Sequence, residues 1–182
     1  MSSVKKATFC AACIALCCVL PSAFHLLGAG AAFSPLHLPV LLCGLICGWF
    51  YGAFCGLAGG ALCALLTGMP SAVQLVYILP ELAVYGLAAG LLRRWIRTRS
   101  AAADLWLALI PAMLLGRIAG GLARAVFYGV SGEGYTIGLW ISAYLVGTLP
   151  GMLVQLILIP LLVLLLLRTG LISNDAPKGE RP

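Results

Sequence analysis

Charged residues gather in a few short groups along this chain, and the stretches between them are apolar for about twenty residues or more. Lys5 and Lys6 precede a first run, Ala7 to Leu27. Leu36 to Thr67 follows without one charged residue. A run from Gln74 to Leu92 ends at Arg93, Arg94, Arg97 and Arg99, and further runs cover Leu105 to Phe127 and Leu139 to Leu167, the last closing at Arg168. A helix needs about 20 apolar residues to cross a hydrocarbon core of roughly 30 Å. Leu36 to Thr67 as one helix would measure about 48 Å, so it is predicted to be a hairpin of two short spans. Its turn is expected at Gly48-Trp49-Phe50-Tyr51-Gly52, where three aromatics suit the headgroup region. The first run also has the basic start of a signal peptide. No cleavage site follows it and it is long for that role, so a first span is expected.

Composition removes the soluble alternatives. Hydrophobic residues make up 63% of the chain and charged residues 9%, too little polar surface to cover a soluble exterior. The net charge of +6 would suggest nucleic acid in a soluble protein. Here the basic residues flank apolar runs and report membrane orientation instead. With six spans and a cytoplasmic amino terminus, the lysines, the four-arginine loop and the carboxyl end all fall inside, which satisfies the positive-inside rule. The expectation is therefore all-α, a bundle of six transmembrane helices over residues 1–172 with both termini cytoplasmic. Residues 173–182 are expected to form a disordered polar tail.

Gly44, Gly48, Gly52, Gly56 and Gly60 recur every fourth residue, a spacing that lets helix backbones approach closely. All eight cysteines fall in expected spans, where cysteine acts as a small hydrophobe. Cys10-Ala-Ala-Cys13 mimics a redox motif but lacks the second pair or histidine cluster of a metal site. Packing is the expected role, with no metal and no cofactor.

Few ionisable groups remain inside the spans, and such groups usually face the bundle interior and mark a site. Arg117 and Arg124 lie two turns apart on one helix face, with Gly120 and Gly121 leaving bare backbone between them. Counted from the outer surface at helical rise, Glu81 lies roughly 12 Å deep, Arg117 roughly 16 Å and Arg124 about 6 Å. Glu81 and Arg117 could pair, and Glu133 in the loop Tyr128 to Gly138 is a candidate mate for Arg124. The group could simply fix helix register, with Arg124 snorkelling to headgroups. The preferred reading is an outward-opening cavity, whose guanidinium forks suit a carboxylate or phosphate. In that reading Gly120 and Gly121 give the ligand room, Tyr77, Glu81 and Tyr85 form a facing wall, and Trp140 and Tyr144 add aromatic surface. His37, between Pro35 and Pro39, could cap the pocket or touch interfacial water.

The segment FSPLHLPVLLCGLICGWFYGAFCGLAGGALCALLTGMP, Phe33 to Pro70, resembles the substrate-binding S components of energy-coupling factor (ECF) vitamin transporters, as does ILPELAVYGLAAGLL, Ile78 to Leu92. Family members similarly show a proline-containing entry to the second span and a glycine-stepped hairpin. The turn departs from them, with Gly48-Trp49-Phe50 where Gly-Pro is common. The resemblance implies a ligand site near the outer face, two ATPase subunits and a transmembrane coupling (T) subunit. It also implies that the alanine face of the first helix, Ala7, Ala11 and Ala15, docks the coupling subunit. Its implied function is capture of a vitamin or vitamin-like molecule at a bacterial plasma membrane, by a binding subunit that is not itself an enzyme. A carboxylate ligand such as pantothenate would fit two arginines. The alternatives are a small membrane redox enzyme using His37 and the cysteines, or a self-contained secondary transporter.

Overall fold

A computed structural model describes residues 1–26, 28, 33, 35–96, 98, 100–130 and 134–170, except for the side chains of residues 143–145. Among these residues the chain is all-helical: α1 Ser3–Leu26, α2 His37–Cys47, α3 Trp49–Thr67, α4 Ala72–Trp95, α5 Ala101–Val130, α6 Ile137–Trp140 and α7 Leu149–Arg168, with a π-helical turn Ile141–Val146 after α6. Five of the helices, α1, α3, α4, α5 and α7, are long and apolar enough to cross a membrane. The expected tail, residues 173–182, lies outside the described residues.

The expected hairpin forms, with a tighter turn than the aromatic run implied. A single residue, Gly48, separates α2 from α3. It adopts φ 99° and ψ 173°, a conformation open to glycine and costly for other residues. Trp49 to Gly52, assigned to the turn from sequence, already belong to α3. The first arm is an 11-residue helix, about 16 Å long at helical rise and half a hydrocarbon core. Ten of its residues, all but Leu38, are buried, so α2 is enclosed by protein.

The expected last span is interrupted. Pro150 has no amide hydrogen to close on the carbonyl four residues back, and its ring crowds that turn. The chain accordingly leaves the π-helical turn at Gly147–Thr148 and restarts as α7 with the proline in its first turn. Gly147 N donates to Ser142 O, a five-residue closure.

Helix α4 is the hub, packed on α5, α3 and α2. Glycine makes the α2–α3–α4 contact possible. A methyl group on Gly56 would stand 2.5 Å from the Leu82 carbonyl oxygen, and one on Gly52 2.5 Å from that of Gly86. Gly44 meets the Gly86 carbonyl and Gly90 meets the Trp49 amide from the other side. The four-residue glycine repeat is thus the seam along which three backbones touch. Helix α1 turns Cys10, Cys13 and Cys17 into the core and leaves Ala7, Ala11 and Ala15 exposed.

Candidate ligand-binding site

The site grows from the pairing of α4 with α5. These helices run antiparallel, and every fourth residue on one meets every fourth residue on the other. Tyr77 faces Arg124, Glu81 covers Gly120, and Tyr85 covers Gly116. Large side chains on α4 therefore fit over small or long flexible ones on α5. A methyl group on Gly120 would stand 2.6 Å from Glu81 Oε2, and one on Gly116 would strike the Tyr85 ring.

At the centre, one carboxylate oxygen meets two side chains from different helices. Glu81 Oε1 lies 3.1 Å from His37 Nε2 and 3.3 Å from Arg117 Nη1. Glu81 and Arg117 are 2% and 3% exposed, and His37 7%. Burial of such groups is tolerable because they hold one another; a lone charge there would be costly. Tyr85 closes the inner side, its ring edge-on to His37 at 4.7 Å between centroids and 5.9 Å from Arg117 Cζ. His37 reaches this cluster as the first residue of α2, and Glu81 directly follows Pro80 within α4.

A second cluster stands one to two turns nearer the end of α5. Arg124 Cζ lies 5.0 Å from the Tyr77 ring centroid, 5.4 Å from Tyr128 and 5.9 Å from Tyr135. Tyr128 and Tyr135 stack at 5.7 Å and 27°. A guanidinium over aromatic faces is held by the ring quadrupoles. Burial pushes the Tyr135 phenol above its usual range, against the opposing pull of Arg124, so it is a neutral hydroxyl at physiological pH.

Trp140 joins the two clusters. Its Nε1 donates to the Arg117 carbonyl at 3.4 Å, and its indole rests on Gly121. The backbone that the sequence left bare at Gly120 and Gly121 is thus covered by Glu81 and Trp140. Beside them a cavity of about 290 Å³ opens between Ile118, Gly121 and Leu122 on α5 and Tyr135, Thr136 and Trp140. In a variant keeping Trp140 as the sole tryptophan, Gly121→Ala should displace the indole and shift its fluorescence emission. Unchanged emission would place the indole elsewhere.

Of the residues singled out from sequence, His37, Glu81, Tyr85, Arg117, Gly120, Gly121, Arg124 and Trp140 therefore converge at one end of the bundle. The side chain of Tyr144 and residue Glu133 lie outside the described residues. Sequence reasoning missed Tyr128 and Tyr135 as neighbours of Arg124. The Arg124–Tyr128 spacing of four was a readable signal, and Tyr135 in the following loop was not. It also missed the meeting of cysteines from three helices: the sulfurs of Cys10, Cys43 and Cys55 all lie within 4.8 Å of one another.

Long apolar helices around a buried polar cluster with a neighbouring cavity define an integral membrane protein equipped to hold a small molecule. The sequence model of the ECF transporter substrate-specific component matches residues 5–173, and the chain belongs to that family. It is a substrate-specific membrane subunit of transport, in a family of transporter components and not of enzymes. Comparison with curated proteins and with solved structures finds no match.

Proposed function

We propose that this subunit captures a vitamin or vitamin-like molecule with a polar or anionic end at the outer face of a bacterial plasma membrane. ATP-driven uptake is then completed by a coupling T subunit and two ATPase subunits. The observation that carries the reading is Arg124 ringed by three tyrosines, one of which also lines the cavity of about 290 Å³. That volume sits at the low end of small-molecule sites, roughly 300–1,000 Å³. Its walls are mainly apolar and aromatic, suited to a ring or short chain, and Arg124 suits a carboxylate or phosphate at the end. Pantothenate has that form. Arg117, tied to Glu81, sets the position of the wall and presents its carbonyl to Trp140.

The orientation follows from charge. Lys6 and Arg94 line one recess with the hairpin residue Gly48, so the basic ends of α1 and α4 lie together. The positive-inside rule puts that end in the cytoplasm, and the arginine–tyrosine cluster, at the far end of α5, outside. With α2 counted as the short sixth element, both termini are cytoplasmic. The exposed alanines of α1 are available to a coupling subunit, since small side chains permit close helix approach.

Native mass spectrometry of the detergent-purified chain should reveal a bound small molecule. Arg124→Gln should weaken its binding at least 10-fold with an unchanged melting temperature, a charge-assisted bond being worth about 1.5–3 kcal/mol. Equal affinity in wild type and variant would remove Arg124 from the site.

A further inference from the structure

We propose that Cys10, Cys43 and Cys55 form a second binding site, for a soft monovalent cation of the Cu(I) type, at the hairpin end of the bundle. The three residues come from α1, α2 and α3, and their sulfurs are mutually within 4.8 Å. Three sulfurs bound to one metal at about 2.3 Å lie about 4 Å apart, so the arrangement needs only a small contraction. The side chains are 3%, 0% and 0% exposed, and none uses its sulfur in a disulfide.

Two further observations favour a ligand over packing alone. First, the thiols are already oriented by a shared anchor. Cys10 Sγ and Cys43 Sγ both lie within reach of the Tyr51 carbonyl, at 3.6 and 3.5 Å, which aims both sulfurs at the same point between the helices. Second, a recess lies about one helical turn from the triad. This recess, of about 140 Å³ at the hairpin end, is lined by Cys47 and Tyr51 together with Lys6 and Arg94. Cys47 lies one turn beyond Cys43 on α2, so the recess ends on the residue next to the triad and on the backbone that anchors it.

Softness and coordination number select the metal. Thiols must lose protons to bind a cation. Cu(I) is soft and is content with three sulfur ligands, which bind as thiolates and release their protons to solvent. Zn(II) almost always takes a fourth ligand, for which the neighbouring Cys13, in contact with Cys43 and Cys55, would have to be drawn in. Thiolate-rich sites in general select soft cations. No electron is transferred and no bond other than metal–sulfur is formed.

The test uses the full chain, reduced and kept anaerobic in detergent, titrated with Cu(I) against a chromogenic chelator. Wild type should retain one equivalent, with near-ultraviolet thiolate-to-copper absorption and a raised melting temperature. Cys10→Ser, Cys43→Ser and Cys55→Ser should each weaken retention at least 10-fold. Serine can still donate to the Tyr51 carbonyl, so the metal-free melting temperature of the first two reports whether the fold is kept. A Cys18→Ser/Cys63→Ser control, altering thiols outside the triad, should bind like wild type. Retention below one equivalent in wild type, or equal retention after all three triad cysteines are replaced in a protein that still melts cooperatively, would overturn the site. So would tighter binding of Zn(II) than of Cu(I).

Discussion

Gly86→Leu should leave almost no folded protein in the membrane. A side chain at this position would run into the Gly52 carbonyl and the Ala53 amide, which is 2.9 Å from the first added carbon. Both obstacles are backbone, inside helices whose own hydrogen bonds hold them, so neither can rotate aside as a side chain would. Overpacking a well-filled core typically costs about 1–3 kcal/mol where side chains can give way, and here they cannot. Gly86→Ala should already weaken the α3–α4 seam. Recovery of detergent-soluble monodisperse protein, compared across wild type, Ala and Leu, checks the prediction. A Leu variant recovered at wild-type yield would mean that the helices can separate without loss of the fold.

The second large effect is expected at Glu81. Glu81→Ala removes the carboxylate shared by His37 and Arg117 and leaves a guanidinium 3% exposed beside a new void. Breaking a buried pair by deleting one partner costs about 3–5 kcal/mol. For a chain of this size, where each kcal/mol moves the midpoint by roughly 2–4 °C, that is a fall of about 10 °C. Replacing both partners together, Glu81→Leu with Arg117→Met, should recover most of the loss, because buried pairs exchange well for apolar residues of similar volume. Thermal unfolding of the single and double variants in one detergent measures both. If the double variant is no more stable than Glu81→Ala, the loss lies in something other than a stranded charge.

The contrast between these residues shows what could be read from sequence. Membrane class and helical content follow from apolar run lengths, and the polar cluster around Glu81 and Arg117 followed from the scarcity of intramembrane charge. Their contact required only that α4 and α5 be antiparallel neighbours, which a short connection favours. Enclosure and the ends of elements were less legible. Nothing in LHLPVLLCGLIC announces that this helix is buried among its neighbours, because hydropathy is the same whether a segment faces lipid or is enclosed by other helices. The interruption near Thr148 was signalled by Pro150, but prolines inside α1, α4, α5 and α7 are accommodated without ending their helices. Gly120 and Gly121 were legible as bare backbone, but that Glu81 and Trp140 are the side chains set against them was not. The cysteine triad was invisible because its members are 33 and 12 residues apart along the chain and share no local motif.

The enclosure of α2 has a consequence for how the protein meets bilayers of different thickness. Helices in contact with lipid tilt or stretch the surrounding leaflets when their apolar length does not match. With ten of its 11 residues covered by neighbouring helices, α2 is largely excused from that adjustment. His37, at its start, is fixed at a depth set by the grip of Gly44 on Gly86 and not by the thickness of the host membrane. Thinner or thicker lipid should therefore change the lean of the five long helices while the vertical position of the Glu81 carboxylate relative to His37 stays the same.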